Sequence, residues 1–139
     1  KMYYFAYGSN LNEHQMKNRL RINAQRVERI TLQGWQLVFR ETADIIPMKN
    51  HEVKGVVYKI GKEDAEILDW FEGIPNFYRR IYLPYNQSRM LCYTMNEFDF
   101  RLPNKKYLAR IIRGYKQHKI STEHLLNALL FTQKLIDRY

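Results

Sequence analysis

The most constraining feature of this sequence is a short aromatic run that ends at a glycine. Residues 3–7 read Tyr-Tyr-Phe-Ala-Tyr, and residues 8–10 read Gly-Ser-Asn. A continuous apolar run of this length, closed by turn-forming residues, is typical of a strand buried in a sheet. Residues 13–20 then predict a short helix, because Asn12 is a residue type that favours the N-cap. The chain therefore begins with a buried strand, a tight turn and a helix.

Patterns of apolar residues, glycine and proline predict the elements that follow. They indicate strands at 25–32 and 35–40, a loop at 42–52 broken by Pro47, a strand at 55–60, a helix at 62–72, a strand pair at 78–84 and 90–95, and helices at 104–119 and 121–138. No repeat or linker divides these segments. The sequence predicts one α+β domain over residues 1–139, with strands in its body and two helices at its end.

Cysteine and histidine usage limits the kinds of site to be expected. Cys92 is the single cysteine, which excludes an internal disulfide framework and a multi-cysteine zinc site and predicts a small core residue. The four histidines share no ligand spacing, so we expect no metal. No apolar run approaches a membrane span and no leader-like segment opens the sequence, so we expect a cytoplasmic protein that does not bind a membrane.

Positive charge is concentrated near the end of the chain. Residues 101–139 carry nine Lys and Arg against two Asp and Glu, which is +7 of the total +9. The basic residues surround an apolar stripe of helical period formed by Tyr107, Leu108, Ile111, Ile112 and Tyr115. A solvated helix face explains this pattern, and aromatic residues do not alternate with the charges as a stacking surface for nucleic acid requires. We therefore expect no nucleic-acid partner, and keep nucleic-acid contact as an alternative.

The turn at residues 8–10 is the first candidate site. A strand that passes through a glycine turn into a helix presents backbone N–H groups that suit a carboxylate or a phosphate. Neither a P-loop nor a dinucleotide-binding fingerprint fits, because the next glycine is Gly34. A strand-to-helix turn without a ligand explains the same residues, so the turn alone leaves both interpretations open.

Glu72 is the second candidate. Ala65, Leu68 and Glu72 share one helix face, so the spacing carries this carboxylate toward the interior. Its place in the last helical turn also disfavours negative charge, by about 0.3–1 kcal/mol. Both effects raise the expected pKa of Glu72, as a general base or acid at a site requires. The alternative is a solvent-exposed glutamate at a frayed helix end, and Asp69 is expected to be a surface or capping carboxylate.

Three segments together resemble the γ-glutamylcyclotransferase-like family, which includes γ-glutamyl-amino-acid and γ-glutamylamine cyclotransferases. Residues 4–11 (Tyr-Phe-Ala-Tyr-Gly-Ser-Asn-Leu) resemble its N-terminal signature. Residues 68–73 (Leu-Asp-Trp-Phe-Glu-Gly) with 78–80 resemble the end of its catalytic helix and the next strand, and 103–107 are similar to a later segment with a substrate-lining tyrosine. The resemblance implies an α+β fold, a small mixed β-barrel with flanking helices.

The resemblance also implies a reaction and its residues. A γ-glutamyl amide would be converted to 5-oxoproline with release of an amino acid or amine, without a cofactor, because the substrate's own α-amine is the nucleophile. Glu72 would be the general base and then the acid. The implied substrate-binding residues are Tyr7, Gly8, Ser9, Asn10, Leu11, Tyr78 and Tyr107. Among them, the backbone of residues 8–11 would hold the α-carboxylate of the γ-glutamyl group.

Several features of the function stay open at this stage. The Ser-Asn-Leu of the first motif points to γ-glutamyl-amino-acid substrates, whereas residues 73–78 are closer to amine-type members. Amino acid, glutathione and amine are therefore all candidate leaving groups, so a role in glutathione metabolism is one expectation. The expected partner is a small γ-glutamyl molecule, and the resemblance also allows a homodimer. The alternative to an enzyme is a non-catalytic binding or regulatory module of the same fold that contacts nucleic acid through its basic C-terminal helices.

Overall fold

A mixed five-stranded sheet forms the centre of the structure, a computed structural model that describes residues 2–20 and 24–138. Four α-helices and a short 3-10 turn at Ser9–Leu11 surround the sheet. The elements in chain order are β1 (Met2–Ala6), α1 (Glu13–Leu20), β2 (Gln25–Arg40), β3 (Thr42–Ile60), α2 (Lys62–Glu72), β4 (Tyr78–Tyr85), β5 (Ser88–Met95), α3 (Lys105–Gln117) and α4 (Thr122–Arg138).

The sheet has the order β2-β3-β1-β5-β4. β1 is antiparallel to β3 and parallel to β5, and it therefore lies in the middle of the sheet. Phe5 and Ala6 of β1 are almost completely buried, as the aromatic run predicts. The α+β class is confirmed, and the sheet is barrel-like without closing, because β2 and β4 are the two ends of its order.

The predicted loop at residues 42–52 is wrong, because this segment is the first half of β3. It pairs with β2 in a long antiparallel hairpin from Arg40↔Thr42 to Gln25↔Lys59. Pro47 lies opposite Trp35, next to a register shift at Gly34, whose φ is 86°. Within β3, β1 pairs only with Val56–Ile60. In the described residues the first half of β3 therefore has β2 as its single neighbouring strand, so Pro47 removes no hydrogen bond between two central strands.

The predicted helices are confirmed, with small changes at their ends. Asn12 caps α1, because its Oδ1 accepts from the Gln15 N–H at 3.0 Å. Asn104 caps α3 in the same way and accepts from the Tyr107 N–H at 2.8 Å. Ile111 and Tyr115 of the predicted stripe are fully buried. The basic residues of α3 are exposed, as expected for a solvated face: Lys105, Lys106, Arg110, Arg113 and Lys116.

α3 packs directly against the 3-10 turn. A Cβ on Gly114 would lie 2.6 Å from the backbone carbon of Leu11, so only glycine permits this approach. The buried His118 follows α3 and donates from Nε2 to the Leu11 carbonyl at 2.8 Å, since Arg26 donates to its Nδ1 at 3.1 Å. Burial lowers the pKa of His118, which keeps the ring neutral in these two roles. The position of the turn therefore depends on α3.

Candidate active site

A pocket forms where the end of β1, the 3-10 turn, the end of α2, β5 and the first residues of β3, β4 and α3 come close together. We call it the site pocket, and its lining residues are Tyr4, Tyr7, Gly8, Ser9, Asn10, Ala43, Glu72, Tyr78, Tyr93 and Tyr107. Seven of the eight residues implied by the sequence resemblance thus line one pocket, although they come from distant parts of the chain. Leu11 is the exception, because its side chain is fully buried in the core.

The 3-10 turn supplies backbone donors. The N–H of Leu11 donates to the Gly8 carbonyl at 3.0 Å and that of Asn12 to Ser9 at 2.9 Å, so neither is free for a ligand. The N–H groups of Gly8, Ser9 and Asn10 have no backbone acceptor within residues 2–20 and 24–138. The Ser9 backbone also hydrogen-bonds the Tyr107 hydroxyl, so an anion that uses the Ser9 N–H would replace Tyr107 there. These three groups, without the Leu11 N–H, are the backbone donors that the turn offers to an anion.

Gly8 has a steric role in the pocket. A Cβ at this position would lie 3.0 Å from the Ala43 Cβ and 3.5 Å from the Tyr107 hydroxyl. Both neighbours line the site pocket, so a side chain here would narrow it. Glycine therefore brings the backbone of the turn close to β3 and α3.

Two residues of α1 hold the Asn10 carboxamide. Gln15 Nε2 and Arg19 Nη1 each donate to Asn10 Oδ1 at 3.0 Å, and Gln15 also donates to Ser9 Oγ at 2.8 Å. With Oδ1 engaged, Asn10 Nδ2 faces the Tyr4 hydroxyl at 2.9 Å and Glu72 Oε1 at 3.4 Å. Gln15 and Arg19 were not among the predicted site residues, although their spacing of four residues places them on one face of α1.

Glu72 is the last residue of α2, and Gly73 ends the helix in the left-handed conformation with a φ of 65°. The Gly73 N–H donates to Trp70 and that of Ile74 to Asp69, at 3.2 and 3.1 Å, which ties the chain back onto the last turn. Ala65 and Leu68 are fully buried, and the Glu72 side chain is only 17% exposed. The prediction that this face carries Glu72 inward, rather than to solvent, is confirmed.

The environment of Glu72 changes its acidity. Burial raises the pKa of Glu72 to about 7, against a smaller opposing effect of the Arg19 guanidinium, which lies 3.9 Å away. The upward direction is the one that the sequence predicted. A carboxyl with a pKa near neutrality can both accept and return a proton under ordinary conditions.

Asp69, one turn earlier, has a structural partner. Arg80 of β4 binds it through Nε at 2.8 Å and Nη2 at 2.7 Å, and the Tyr93 hydroxyl donates to Oδ1 at 2.7 Å. Asp69 is therefore neither a capping nor a free surface carboxylate. The ion pair between Asp69 and Arg80 fixes α2 to β4 of the sheet, so that Glu72 has a defined position at the pocket.

The first residues of β3 organise the tyrosines of the pocket. Tyr78 donates to the Ala43 carbonyl at 2.8 Å, and Tyr107 accepts from the Ala43 N–H at 3.0 Å. Tyr7 donates to the Tyr93 carbonyl at 2.6 Å. Burial raises the pKa of Tyr107 to about 12 and that of Tyr78 well above its ordinary value, so both remain protonated. These phenols are neutral groups with fixed orientation.

Within residues 2–20 and 24–138, no group of three His, Cys, Asp or Glu side chains is arranged to hold a metal ion. Cys92 is fully buried, as predicted for a core residue. None of the helices in the described part of the chain combines the length and the apolar character needed to cross a membrane.

The burial of Glu72 predicts a pH-dependent stability. In the folded chain its pKa is about 7, against an ordinary value of 4.5, so the folded state holds a proton there that the unfolded state has lost. Stability should therefore fall as the pH rises from 4.5 to 7, by up to about 3 kcal/mol. We expect Glu72→Gln to be more stable than the native protein at pH 8 and nearly equal to it at pH 4, as measured by urea unfolding. The exposed Glu66 on the same helix is the matched control, and a Glu72→Gln difference that does not change with pH would contradict the assignment.

The chain is similar to known proteins in sequence and in fold. The family model described as "Gamma-glutamyl cyclotransferase, AIG2-like" matches residues 4–115. These residues include every side chain of the site pocket. A search of curated proteins finds no match.

Solved structures share the fold. One described as "Gamma-glutamyl cyclotransferase" has a TM-score of 0.78 and 23% identity, with 99% of both chains covered. An uncharacterized protein from Homo sapiens has a TM-score of 0.75 and 24% identity, over 96% of this chain and 85% of that one. YkqA from Bacillus subtilis has a TM-score of 0.70 and 22% identity, over 99% of this chain and 53% of that one.

Proposed function

The chain belongs to the γ-glutamyl cyclotransferase, AIG2-like family, and on that premise we propose that it closes γ-glutamyl amides to 5-oxoproline and releases an amino acid or an amine. The observation that carries this proposal is the position of Glu72. A mostly buried carboxyl with a pKa of about 7 lies in the same pocket as the backbone donors of the 3-10 turn. A base beside an anion-binding turn is what this ring closure needs.

The turn would bind the substrate's α-carboxylate through the N–H groups of Gly8, Ser9 and Asn10. With this end held, the γ-glutamyl chain folds back until its α-amine faces its own γ-carbonyl carbon. Such an arrangement makes the attack intramolecular, and orientation of this kind contributes up to roughly 7–11 kcal/mol in favourable cases. Tyr7, Tyr78 and Tyr107 would form the walls that hold the folded chain.

Glu72 would transfer the protons. A free α-amine has a pKa of about 7.7–8.0, so most of it is protonated at neutral pH and cannot attack. The Glu72 carboxylate takes that proton and releases it to solvent. The free amine nitrogen then forms a bond with the γ-carbonyl carbon, and the Glu72 carboxylate takes a second proton from this nitrogen. The bond from the carbon to the leaving nitrogen breaks, and the Glu72 carboxyl gives the second proton to the leaving nitrogen. One proton therefore ends in solvent and the other on the released amine.

The experiment is a substrate panel. Purified protein is incubated with γ-glutamyl-alanine, glutathione and γ-glutamyl-ε-lysine, and 5-oxoproline is quantified by chromatography. We expect release from at least one of them. The identity of that substrate assigns the leaving group to the amino acids, the peptides or the amines.

A negative panel also has a clear meaning. If none of these compounds, nor a γ-glutamyl alkylamide, yields 5-oxoproline, the enzyme assignment is wrong. The binding-module interpretation then gains support if DNA or RNA binds with a steep salt dependence, which is the mark of contacts between basic side chains and phosphates.

A further inference from the structure

A second cavity adjoins the site pocket. Glu72 and Tyr78 line both cavities, so the two are neighbours that share these side chains. The other walls of the second cavity include Glu41, Trp70, Phe71 and Phe77. We call it the aromatic cleft. Because Glu72 lies at the junction, a group bonded to the reacting γ-carbonyl carbon would extend from the site pocket into this cleft.

The aromatic rings of the cleft are unusually exposed. Trp70 is 78% exposed, Phe77 60% and Phe71 43%. Their positions are nevertheless held by the protein. The Trp70 and Phe71 rings meet edge to face at 5.1 Å, the Arg19 guanidinium lies 4.5 Å from the Phe71 ring centre, and Phe77 packs on Gly73. Exposed apolar side chains grouped in one concave place indicate a binding surface for an apolar group.

The charges in the cleft argue against a carboxylate. Its two arginines already have partners: Arg40 Nε binds Asp44 at 2.8 Å, and Arg101 Nη2 binds Glu97 at 3.3 Å. Glu41 has no ion-pair partner within the part of the chain that the structure describes. The unbalanced charge of the cleft is therefore negative. An amino-acid leaving group would bring its own carboxylate close to Glu41.

We propose that the aromatic cleft is the leaving-group subsite and that it selects γ-glutamyl amides of apolar, above all aromatic, amines that lack a carboxylate. This inference rests on the proposed ring closure and narrows its substrate class. The γ-glutamyl half occupies the site pocket, and the amine lies between Trp70 and Phe77. The leaving amine departs through the open side of the cleft.

The test uses three amides that differ only in the leaving group: γ-glutamyl-phenethylamide, γ-glutamyl-ethylamide and γ-glutamyl-phenylalanine. Compared with the phenethylamide, the ethylamide lacks the phenyl ring, and γ-glutamyl-phenylalanine keeps the ring but adds a carboxylate. Burying a phenyl ring contributes enough free energy for roughly a tenfold gain. We expect kcat/KM for the phenethylamide to exceed that for the ethylamide by about this factor. It should also exceed that for γ-glutamyl-phenylalanine, because the carboxylate of that compound would lie close to Glu41.

Two variants assign the effect to the cleft. In Trp70→Ala the preference for phenethylamide over ethylamide should fall by at least several-fold, whereas Ile67→Ala, at a 38% exposed position on the same helix outside the cleft, should keep it. In Glu41→Gln the difference in kcat/KM between γ-glutamyl-phenethylamide and γ-glutamyl-phenylalanine should become smaller. Equal rates for the three amides, or a preference that survives Trp70→Ala, would overturn the inference while ring closure stands. No 5-oxoproline from these three amides, with release from γ-glutamyl-alanine, glutathione or γ-glutamyl-ε-lysine, would overturn the inference alone. No 5-oxoproline from all six compounds would overturn ring closure as well.

Discussion

Glu72→Gln is expected to lower kcat for 5-oxoproline release by roughly 10²–10⁴-fold, the usual contribution of a positioned general base. Glutamine keeps the size of the side chain and one acceptor oxygen near Asn10 Nδ2, so the pocket keeps its shape. What is lost is the only group with a pKa near 7 among the described residues that line the pocket. The substrate amine then has no side chain to take its proton. The measurement is the rate of 5-oxoproline formation at saturating substrate.

Stability separates this effect from misfolding. The same variant should be more stable than the native protein at pH 8, because it no longer buries an ionised carboxylate. A protein that is inactive yet harder to unfold would identify Glu72 as a catalytic residue. Glu66→Gln, on an exposed part of the same helix, should retain full activity. Unchanged turnover in Glu72→Gln would mean that the base lies elsewhere.

Gly114→Ala has the largest expected effect on folding outside the pocket. In an exposed helix this change stabilises by about 1 kcal/mol, because alanine is the better helix former. Here the new Cβ would lie 2.6 Å from the Leu11 backbone carbon and 2.7 Å from the Asn12 nitrogen, distances that require the backbone to move. We expect the free energy of unfolding of Gly114→Ala to be lower by roughly 1–3 kcal/mol, which is the usual cost of overpacking a close contact. Urea unfolding measures it.

The same substitution should also lower activity. α3 begins near Tyr107, whose hydroxyl lies in the site pocket, and Asn12 Nδ2 donates to the Arg110 carbonyl at 3.3 Å. A shift of α3 away from the 3-10 turn therefore displaces both the turn and Tyr107. Lys116→Ala, on the exposed side of the same helix, is the control and should leave stability and turnover nearly unchanged. A Gly114→Ala protein as stable as the native one would contradict the close packing of α3 on the turn.

The inward position of Glu72 was predictable because it follows from a local rule. Ala65 and Leu68 mark the buried face of α2, and a residue seven positions after Ala65 lies on that face in any regular helix. The buried β1 strand was predictable in the same way, from five consecutive apolar residues. Both predictions depend only on the spacing of apolar residues within a single helix or strand, and this spacing can be read directly from the sequence.

The first half of β3 was not predictable by these rules. Pro47 is usually a sign against a strand, and here it is accommodated by the bulge at Gly34 and by the absence of a β1 partner at that level within the described residues. This error also hid Ala43, whose two backbone groups orient Tyr78 and Tyr107. Whether a proline is tolerated in a strand depends on which neighbour lies beside it, and that is a property of the assembled sheet.

The sequence by itself determined the element types apart from the first half of β3, the buried face of α2, the turn after β1 and, through three short motifs, the family resemblance. The tertiary structure decided which of those residues meet. It directs Gln15 and Arg19 to Asn10, pairs Asp69 with Arg80, and uses the Leu11 N–H inside the turn, where it cannot serve a ligand. The raised pKa of Glu72 also depends on the tertiary structure, because its main cause is the burial of the carboxyl in the site pocket. Helix and strand patterns act over a few residues, whereas desolvation depends on segments that the chain brings together only when it folds.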